Sequence, residues 1–227
     1  MLAAMDPDRI AALLTPFIGA EPVSAPLAAQ LQAYLDLLLR WNARINLTAV
    51  RDPEEIVTRH FGESLFAARL LRDAGAFTST ACTAPTLADV GSGAGLPGIP
   101  IKLFAPEIRL TLIEAQNKKA TFLGEVIRTL GIEGAEIYGG RAENWNQQAA
   151  IVTMRAVEKF ERALQVTATL VANGGALCLF IGAGQTESAQ RTLGHEWQFS
   201  LAVPIPNSDG RVVLMGKHVA GYNRQAV

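Results

Sequence analysis

The sequence predicts a doubly wound α/β fold, a seven-stranded and mostly parallel sheet covered on both faces, with a helical extension at the N-terminal side. Three observations carry this. Short β-type runs alternate with helical stretches of about 10–15 residues through the second part of the chain, the pattern of a parallel sheet with crossover helices. The first part, by contrast, holds helical periodicity and almost no β pattern. Between them, the apolar run Leu87–Val90 passes straight into glycines at positions 91, 93 and 95 and then into a helix.

In order, the first fifteen or so residues read as a weak helix followed by a connector bearing Pro16, Gly19 and Pro22. Leu27, Leu31, Tyr34, Leu35, Leu38 and Trp41 recur at helical spacing, with Ser24 as cap and Pro26 in the first turn. Asp52-Pro53-Glu54-Glu55 opens another helix in a capping-box pattern, with Val57, Phe61, Leu65 and Ala68 on one face. After the small, polar run from Thr78 to Pro85 come strand Leu87–Val90, a helix from about Pro97, strand Leu110–Glu114, helix Asn117–Leu130 and strand Ala135–Tyr138. Strand Ile151–Met154, a helix to about Ala172 and strand Ala176–Ile181 follow. Runs near Phe199–Val203 and Val212–Met215 have little between them and predict an antiparallel edge hairpin. The expected division is residues 1–80 for the helical extension and 81–227 for the α/β part, packed as one unit.

A chain of 227 residues with 49% hydrophobic and 18% charged residues can bury a sizeable core. Its net charge of −1 means that any nucleic acid must be met by a local basic patch rather than by bulk charge. Cys82 and Cys178 stand apart, in no C-x-x-C or Cys/His cluster, so neither a zinc site nor a disulfide scaffold is expected. Asp6, Asp8 and Arg9 take the place of a secretory leader. The uncharged stretch Val166–Gly184 is broken by Asn173-Gly174-Gly175, which reads as a helix stop rather than a membrane span. A cytoplasmic protein is expected, with no metal, no membrane partner and a monomer as the default.

The segment Asp89-Val90-Gly91-Ser92-Gly93-Ala94-Gly95-Leu96-Pro97-Gly98 is the richest in the chain. Glycine lets a backbone turn sharply and pass against a ligand with no Cβ in the way. Residues 93–98 spell G-x-G-x-x-G, and Glu114 follows where a ribose-binding acid would stand, so an NAD-dependent oxidoreductase is one reading. S-adenosylmethionine is favoured instead. The first glycine after the strand is Gly91, two residues ahead of the dinucleotide register. Asp89 stands just before the glycines, in reach of the amino-acid end of that cofactor, and Gly140-Arg141-Ala142-Glu143 follows the third strand, where such enzymes frame adenine.

Beyond the glycine loop, several blocks together resemble the bacterial small-subunit (16S) ribosomal RNA guanine-N7 methyltransferases. They are Leu96-Pro97-Gly98-Ile99-Pro100, Trp41-Asn42 with Asn46-Leu47-Thr48, Arg59-His60 with Ser64, and Leu112-Ile113-Glu114 with Lys118-Lys119 and Phe122-Leu123. Arg141-Ala142-Glu143 and Arg155-Ala156 complete the set. The resemblance implies methyl transfer from S-adenosylmethionine to N7 of a guanine in small-subunit rRNA. A methyltransferase acting on another substrate is the alternative within the class. It further implies that Gly91 and Leu96 line the cofactor, Glu114 holds the ribose, Ala142 and Glu143 meet the adenine, and Arg155 sits between cofactor and substrate. The chain departs from the family at Glu63 (usually aspartate), Met154 (usually serine) and Ile181, where a lysine is usual and a positive charge is lost from the expected RNA face.

N7 of guanine carries a lone pair and no proton, so its methylation needs alignment and exclusion of water rather than a general base. Arg155 ends a strand at the carboxyl edge, where ligands bind in such sheets, and is the first catalytic candidate. His60 is the second, with a packed interface histidine as the equal alternative. Lys118 and Lys119 open a helix, where cations oppose the dipole, so a phosphate role is expected for them. Arg141, Arg59 and Arg211 join them as RNA-binding candidates, and Trp145 and Trp197 are expected in the core.

Overall fold

Five strands run parallel and form the body of the sheet: β1 (Thr86–Val90), β2 (Arg109–Ile113), β3 (Ala135–Tyr138), β4 (Ala149–Arg155) and β5 (Val171–Gly182). With β6 (Trp197–Phe199), β7 (Val203–Pro204) and β8 (Arg211–His218) the order is β3-β2-β1-β4-β5-β8-β6, and the two-residue β7 pairs with β8 beside this path. This computed structural model describes residues 5–78, 84–155 and 159–219. The expected boundary near residue 80, together with Cys82 and Ala156, lies outside the described residues.

Both faces of the sheet are covered. Along β1, Leu87 joins the core under the N-terminal helices, while Ala88 and Val90 join the core on the opposite face. The first core takes in Ile10, Leu14, Leu31, Leu35 and Leu38 with Leu112, Phe122 and Ile151, so the helical extension and the sheet bury their apolar surfaces against each other. Helices α1 (Pro7–Ile18) and α2 (Ala25–Asn42) begin at Asp6 and Ser24, whose side chains accept from Asp8 N and Leu27 N. Tyr34 of α2 stacks on Phe61 at 5.0 Å between ring centroids. From the same helix, Trp41 packs edge-on against Phe122 of α6 (Asn117–Leu130) at 5.7 Å.

The helix expected from Asp52 is interrupted. It runs as α3 (Pro53–Ile56), then a π-helical turn Val57–Gly62, then α4 (Glu63–Asp73). The wider turn changes which residues face inward, so His60, Phe61, Gly62, Glu63 and Ser64 are all buried in succession. Gly62 is required there because a Cβ would lie 2.6 Å from the ring of Phe17.

Other differences from the expected elements have local causes. Asn173-Gly174-Gly175 turns the chain as expected, but inside β5: Ala149 pairs with Val171 and Ile151 with Ala176, a bulge on β5. The preceding helix, α7 (Phe160–Thr169), therefore stops short of Ala172. Helix α8 (Thr186–Leu193) had no sequence signal, being polar with only Ala189 buried. The late strands are antiparallel as expected, with β7 and β8 forming a hairpin at Val203 and Val213, yet β8 is not the edge: it pairs with β5 on one side, and β6 and β7 lie outside it. Ile181 is 6% exposed and packed in the core beneath α7 and α8, so that position is not part of an exposed basic face. Trp145 and Trp197 are buried as expected.

Candidate functional site: a glycine-loop cleft beside a buried ion cluster

The strand order reverses between β1 and β4, and the crevice outside their carboxyl ends is where an open α/β sheet binds ligands. A cleft of about 490 Å³ opens there. Gly91 and Glu114 line one side, Arg141, Ala142 and Glu143 come from the turn after β3, and Lys159 and Arg162 come from the start of α7. The turn out of β1 needs its glycines. Gly91, Gly93 and Gly95 have φ of 69°, 56° and 83°, and a Cβ on Gly95 would sit 2.5 Å from Ile99 and 2.7 Å from the Tyr34 hydroxyl. That hydroxyl, carried by the N-terminal extension, donates to the carbonyl of Ala94.

Glu114, 6% exposed, caps the end of β2 and accepts from the backbone N–H of Gly93 and of Gln116, each at 2.8 Å. Its carboxylate is thus held rigidly at the floor of the cleft. Asp89 is placed otherwise. It is buried on the face toward the N-terminal helices, accepts from Thr153 Oγ1 at 2.8 Å and Gly98 N at 3.2 Å, and does not line the cleft. Burial pushes its carboxyl up to about 6, against the pull of those donors. Leu96 is half-buried and packed toward the helical core.

At the carboxyl end of β4, on the face toward the N-terminal helices, this strand and the π-helical turn bring together a second group, and its Arg155 does not line the cleft. Arg155 Nη2 lies 3.0 Å from the carbonyl of Arg59, 3.0 Å from His60 Nδ1 and 3.1 Å from Glu63 Oε2. Phe180 lies under its guanidinium at 5.8 Å. Arg155 can only donate, so His60 Nδ1 accepts and Nε2 carries the proton, which it gives to Thr48 Oγ1 at 2.7 Å. Burial and then the charges of Arg155, Arg59 and Arg211 push His60 down to about 3, so the ring is neutral. Glu63 Oε1 also faces Arg211 Nη1 at 2.8 Å, an ion pair without an aligned N–H···O bond. Burial works against the charge on both Glu63 and Arg155, and each offsets this for the other. Upstream, the carboxamide of Asn42 accepts from Leu47 N and Thr48 N, shaping the loop that presents Thr48.

Of the RNA-binding candidates, Lys118 is exposed and Lys119 half-buried in the first turn of α6, without an ion pair among the described residues. Arg141 is exposed on the cleft wall. Arg59 and Arg211 are already engaged, with Glu55 at 3.2 Å and with Glu63. Sequence reasoning missed Lys159, Arg162, the Tyr34 hydroxyl and the Glu63 carboxylate as parts of the site. Only long-range contacts reveal the last two, whereas Lys159 and Arg162 were obscured in the sequence by Glu158 before them and Glu161 between them. Among the described residues no group of three His, Cys, Asp or Glu could hold a metal ion, and no helix is long and apolar enough to cross a membrane.

Comparisons with known proteins bear on the fold and the family. Among solved structures, the chain is similar to a ribosomal protein L11 methylase from Lactobacillus delbrueckii subsp. bulgaricus, with a TM-score of 0.55 at 15% identity over 70% of this chain and 79% of that one. A predicted O-methyltransferase from Agrobacterium tumefaciens gives 0.52 at 18% identity over 69% and 80%. These show the fold, a methyltransferase-type α/β sheet with the helical part added. At the level of sequence, the chain is 36% identical over 220 residues to the ribosomal RNA small subunit methyltransferase G of Xanthomonas campestris pv. campestris strain 8004, covering 95% of this chain and 98% of that one. It is 40% identical over 182 residues to the protein of the same name from Xanthomonas axonopodis pv. citri, covering 79% and 80%. The family profile described as rRNA small subunit methyltransferase G matches residues 27–206, and the chain belongs to that family.

Proposed function

We propose that this chain transfers a methyl group from S-adenosylmethionine to N7 of a guanine in small-subunit ribosomal RNA. The observation that carries the reading is the Glu114 carboxylate, fixed by Gly93 N and Gln116 N at the floor of the cleft where the strand order reverses. A carboxylate oxygen that accepts one backbone N–H keeps a second lone pair, and the two ribose hydroxyls of the cofactor supply the donors to match. Gly91 leaves the β1 turn open to the ligand, and Ala142 and Glu143 face it from the turn after β3, where the adenine would rest. When bound, the cofactor supplies an electrophilic methyl on a sulfonium.

The chain's own residues have the rest of the work. No proton has to be removed from guanine N7, and the neutral His60, buried and engaged at both ring nitrogens, is not available as a base. Arg155, at the carboxyl end of β4, is the donor nearest the reaction centre. Lys118, Lys119 and Arg141 surround the approach to the cleft and meet backbone phosphates, which position the RNA without reading its sequence. Lys159 and Arg162 extend this rim from α7. The helical extension and the sheet work as one unit, a monomer in the cytoplasm.

The cofactor half is tested by melting. S-adenosylhomocysteine at 100 times its Kd adds about 2.7 kcal/mol of stability, and NAD adds none. Stabilisation by NAD alone would overturn the assignment.

A further inference from the structure

Arg155 has all its fixed partners on one nitrogen. Nη2 faces the Arg59 carbonyl, His60 Nδ1 and Glu63 Oε2, whereas Nη1 is buried with no hydrogen-bond partner among the described residues. A guanidinium is a rigid planar fork, so pinning Nη2 and laying the plane over Phe180 leaves Nη1 one direction. Buried donors are almost always satisfied, and an orphan at the carboxyl end of β4, one of the two strands between which the order reverses, points to a ligand atom as its partner.

We propose that His60, Glu63 and Thr48 act as a positioning clamp that holds Arg155 with Nη1 presented to an oxygen acceptor of the bound ligands, the O6 of the target guanine. His60 works through Arg155 and touches no reacting atom. Its bare Nδ1 receives Nη2–H only while Nε2–H is held by Thr48, and Thr48 Oγ1 is itself fixed by Val50 N at 3.1 Å. A protonated ring would present N–H to N–H and release the arginine. The charged groups around the ring are Arg59 on its own turn, Glu63 on α4, Arg155 on β4 and Arg211 on β8, and the three arginines together keep it neutral. Glu63 supplies the one carboxylate that faces both Arg155 and Arg211. The O6 edge is the fitting acceptor because arginine pairs with O6 and N7 of guanine, and with N7 given to the methyl group only O6 remains. The carboxylate of the cofactor's methionine end has the same chemistry and is the other source of an oxygen.

The target oxygen rests on the methyl-transfer reading, whereas the clamp does not, and the experiment separates them. Asparagine places its carbonyl oxygen near the position of Nδ1, and glutamine places its amide near Nε2. His60→Asn therefore keeps the acceptor for Arg155, and His60→Gln keeps only the contact to Thr48. The expected result on rRNA substrate is kcat within about threefold of wild type for His60→Asn and a loss of roughly tenfold to a hundredfold for His60→Gln, the range of one charge-assisted hydrogen bond. S-adenosylhomocysteine affinity stays constant in both if the acceptor is O6, and falls with kcat in His60→Gln if it is the cofactor carboxylate, which replaces O6 but keeps the clamp. In an Arg155→Ala background His60→Gln costs nothing further. Equal losses in the two variants, or losses that multiply with Arg155→Ala, would overturn the clamp. If the wild type methylates no rRNA, the function reading falls and ¹⁵N imidazole spectra decide the clamp alone. A ring protonated only at Nε2, whose Nδ1 signal shifts in Arg155→Ala, supports it, and an unchanged signal refutes it.

Discussion

The cleft and the ion cluster lie side by side at the carboxyl edge of the sheet, yet they are built by different rules. Most polar groups of the cleft sit in the turn that directly follows a strand, Gly91 after β1, Glu114 after β2 and Arg141 to Glu143 after β3, and Lys159 and Arg162 at the start of α7 close it. Its geometry is local, made of glycine φ values and backbone N–H groups. The cluster instead joins residues 48, 60 and 63 of the helical extension to Arg155 and Arg211 of the sheet, up to 163 residues away in sequence and held by charge around the buried Glu63. The first is expected to change with little cost to the fold; in the second, stability and the proposed function rest on the same side chains.

The largest expected effect follows from that difference. Glu63→Gln removes the only carboxylate among the described residues that is ion-paired with both Arg155 and Arg211, leaving Arg155 buried with only the more distant Asp89 to offset its charge, and is expected to cost about 3–5 kcal/mol in denaturant unfolding. A loss below about 1 kcal/mol, the size for an exposed pair, would mean that water reaches the cluster and that the two regions are alike. Next, Glu114→Ala is expected to weaken S-adenosylhomocysteine binding by roughly tenfold to a hundredfold in calorimetry, the worth of hydrogen bonds to a charged group, with a much smaller change in unfolding free energy. Unchanged affinity would remove Glu114 from the cofactor site.

Acid titration sharpens the contrast within the buried face itself. His60 is held down at about 3, so its contribution is present above its ordinary 6.5 and is lost as pH falls toward 3. Asp89 is pushed up to about 6, so its protonated form favours the fold, and this contribution is full below its ordinary 3.8 and lost as pH rises through 6. The two oppose each other between about pH 4 and 6. Asp89→Asn, which can still accept from Gly98 N, is expected to make the acid loss of stability steeper than in the wild type, and His60→Gln to make it shallower. Slopes that move together would contradict the opposite signs.

The smallest effect belongs to the rim. Replacing Lys118 and Lys119 with alanine is expected to flatten the log–log salt dependence of RNA binding by roughly 0.7–0.9 for each phosphate that a lysine had neutralised, while cofactor affinity stays constant. Identical slopes would make the two lysines a solvated face of α6 and move the RNA surface toward Lys159 and Arg162.

Local rules were legible in the sequence and distant ones were not. Helix α6 spans Asn117–Leu130 as read, because its apolar residues keep one face and Gly131 closes it in the left-handed conformation at φ 61°. The glycine turn and Glu114 were legible for the same reason. The π-helical turn was not, since the spacing of Val57, Phe61 and Leu65 suits an unbroken helix, and the close approach of the Phe17 ring to Gly62 comes from a residue 45 positions earlier. Nor was the insertion of β8 between β5 and β6, which depends on pairings of Val212–Lys217 with residues 31–41 positions earlier, far beyond a local window. Ile181 shows the hazard of reading charge without depth: a lysine there would be buried among Leu164, Leu179 and Ala189. His60 and Arg155 were both picked out singly, but their partnership is a property of the fold.

The most direct test of the central claim is to incubate small ribosomal subunits and their naked 16S RNA, both from cells lacking this methylation, with S-adenosylmethionine carrying a labelled methyl group. The labelled RNA is then cleaved chemically at N7-methylguanosine. Label at a single guanine, cleavage at that site, and a large but measurable fall of both in Arg155→Ala are the predicted result. Label on another atom or another base, or none on either substrate while S-adenosylhomocysteine binds, would contradict it.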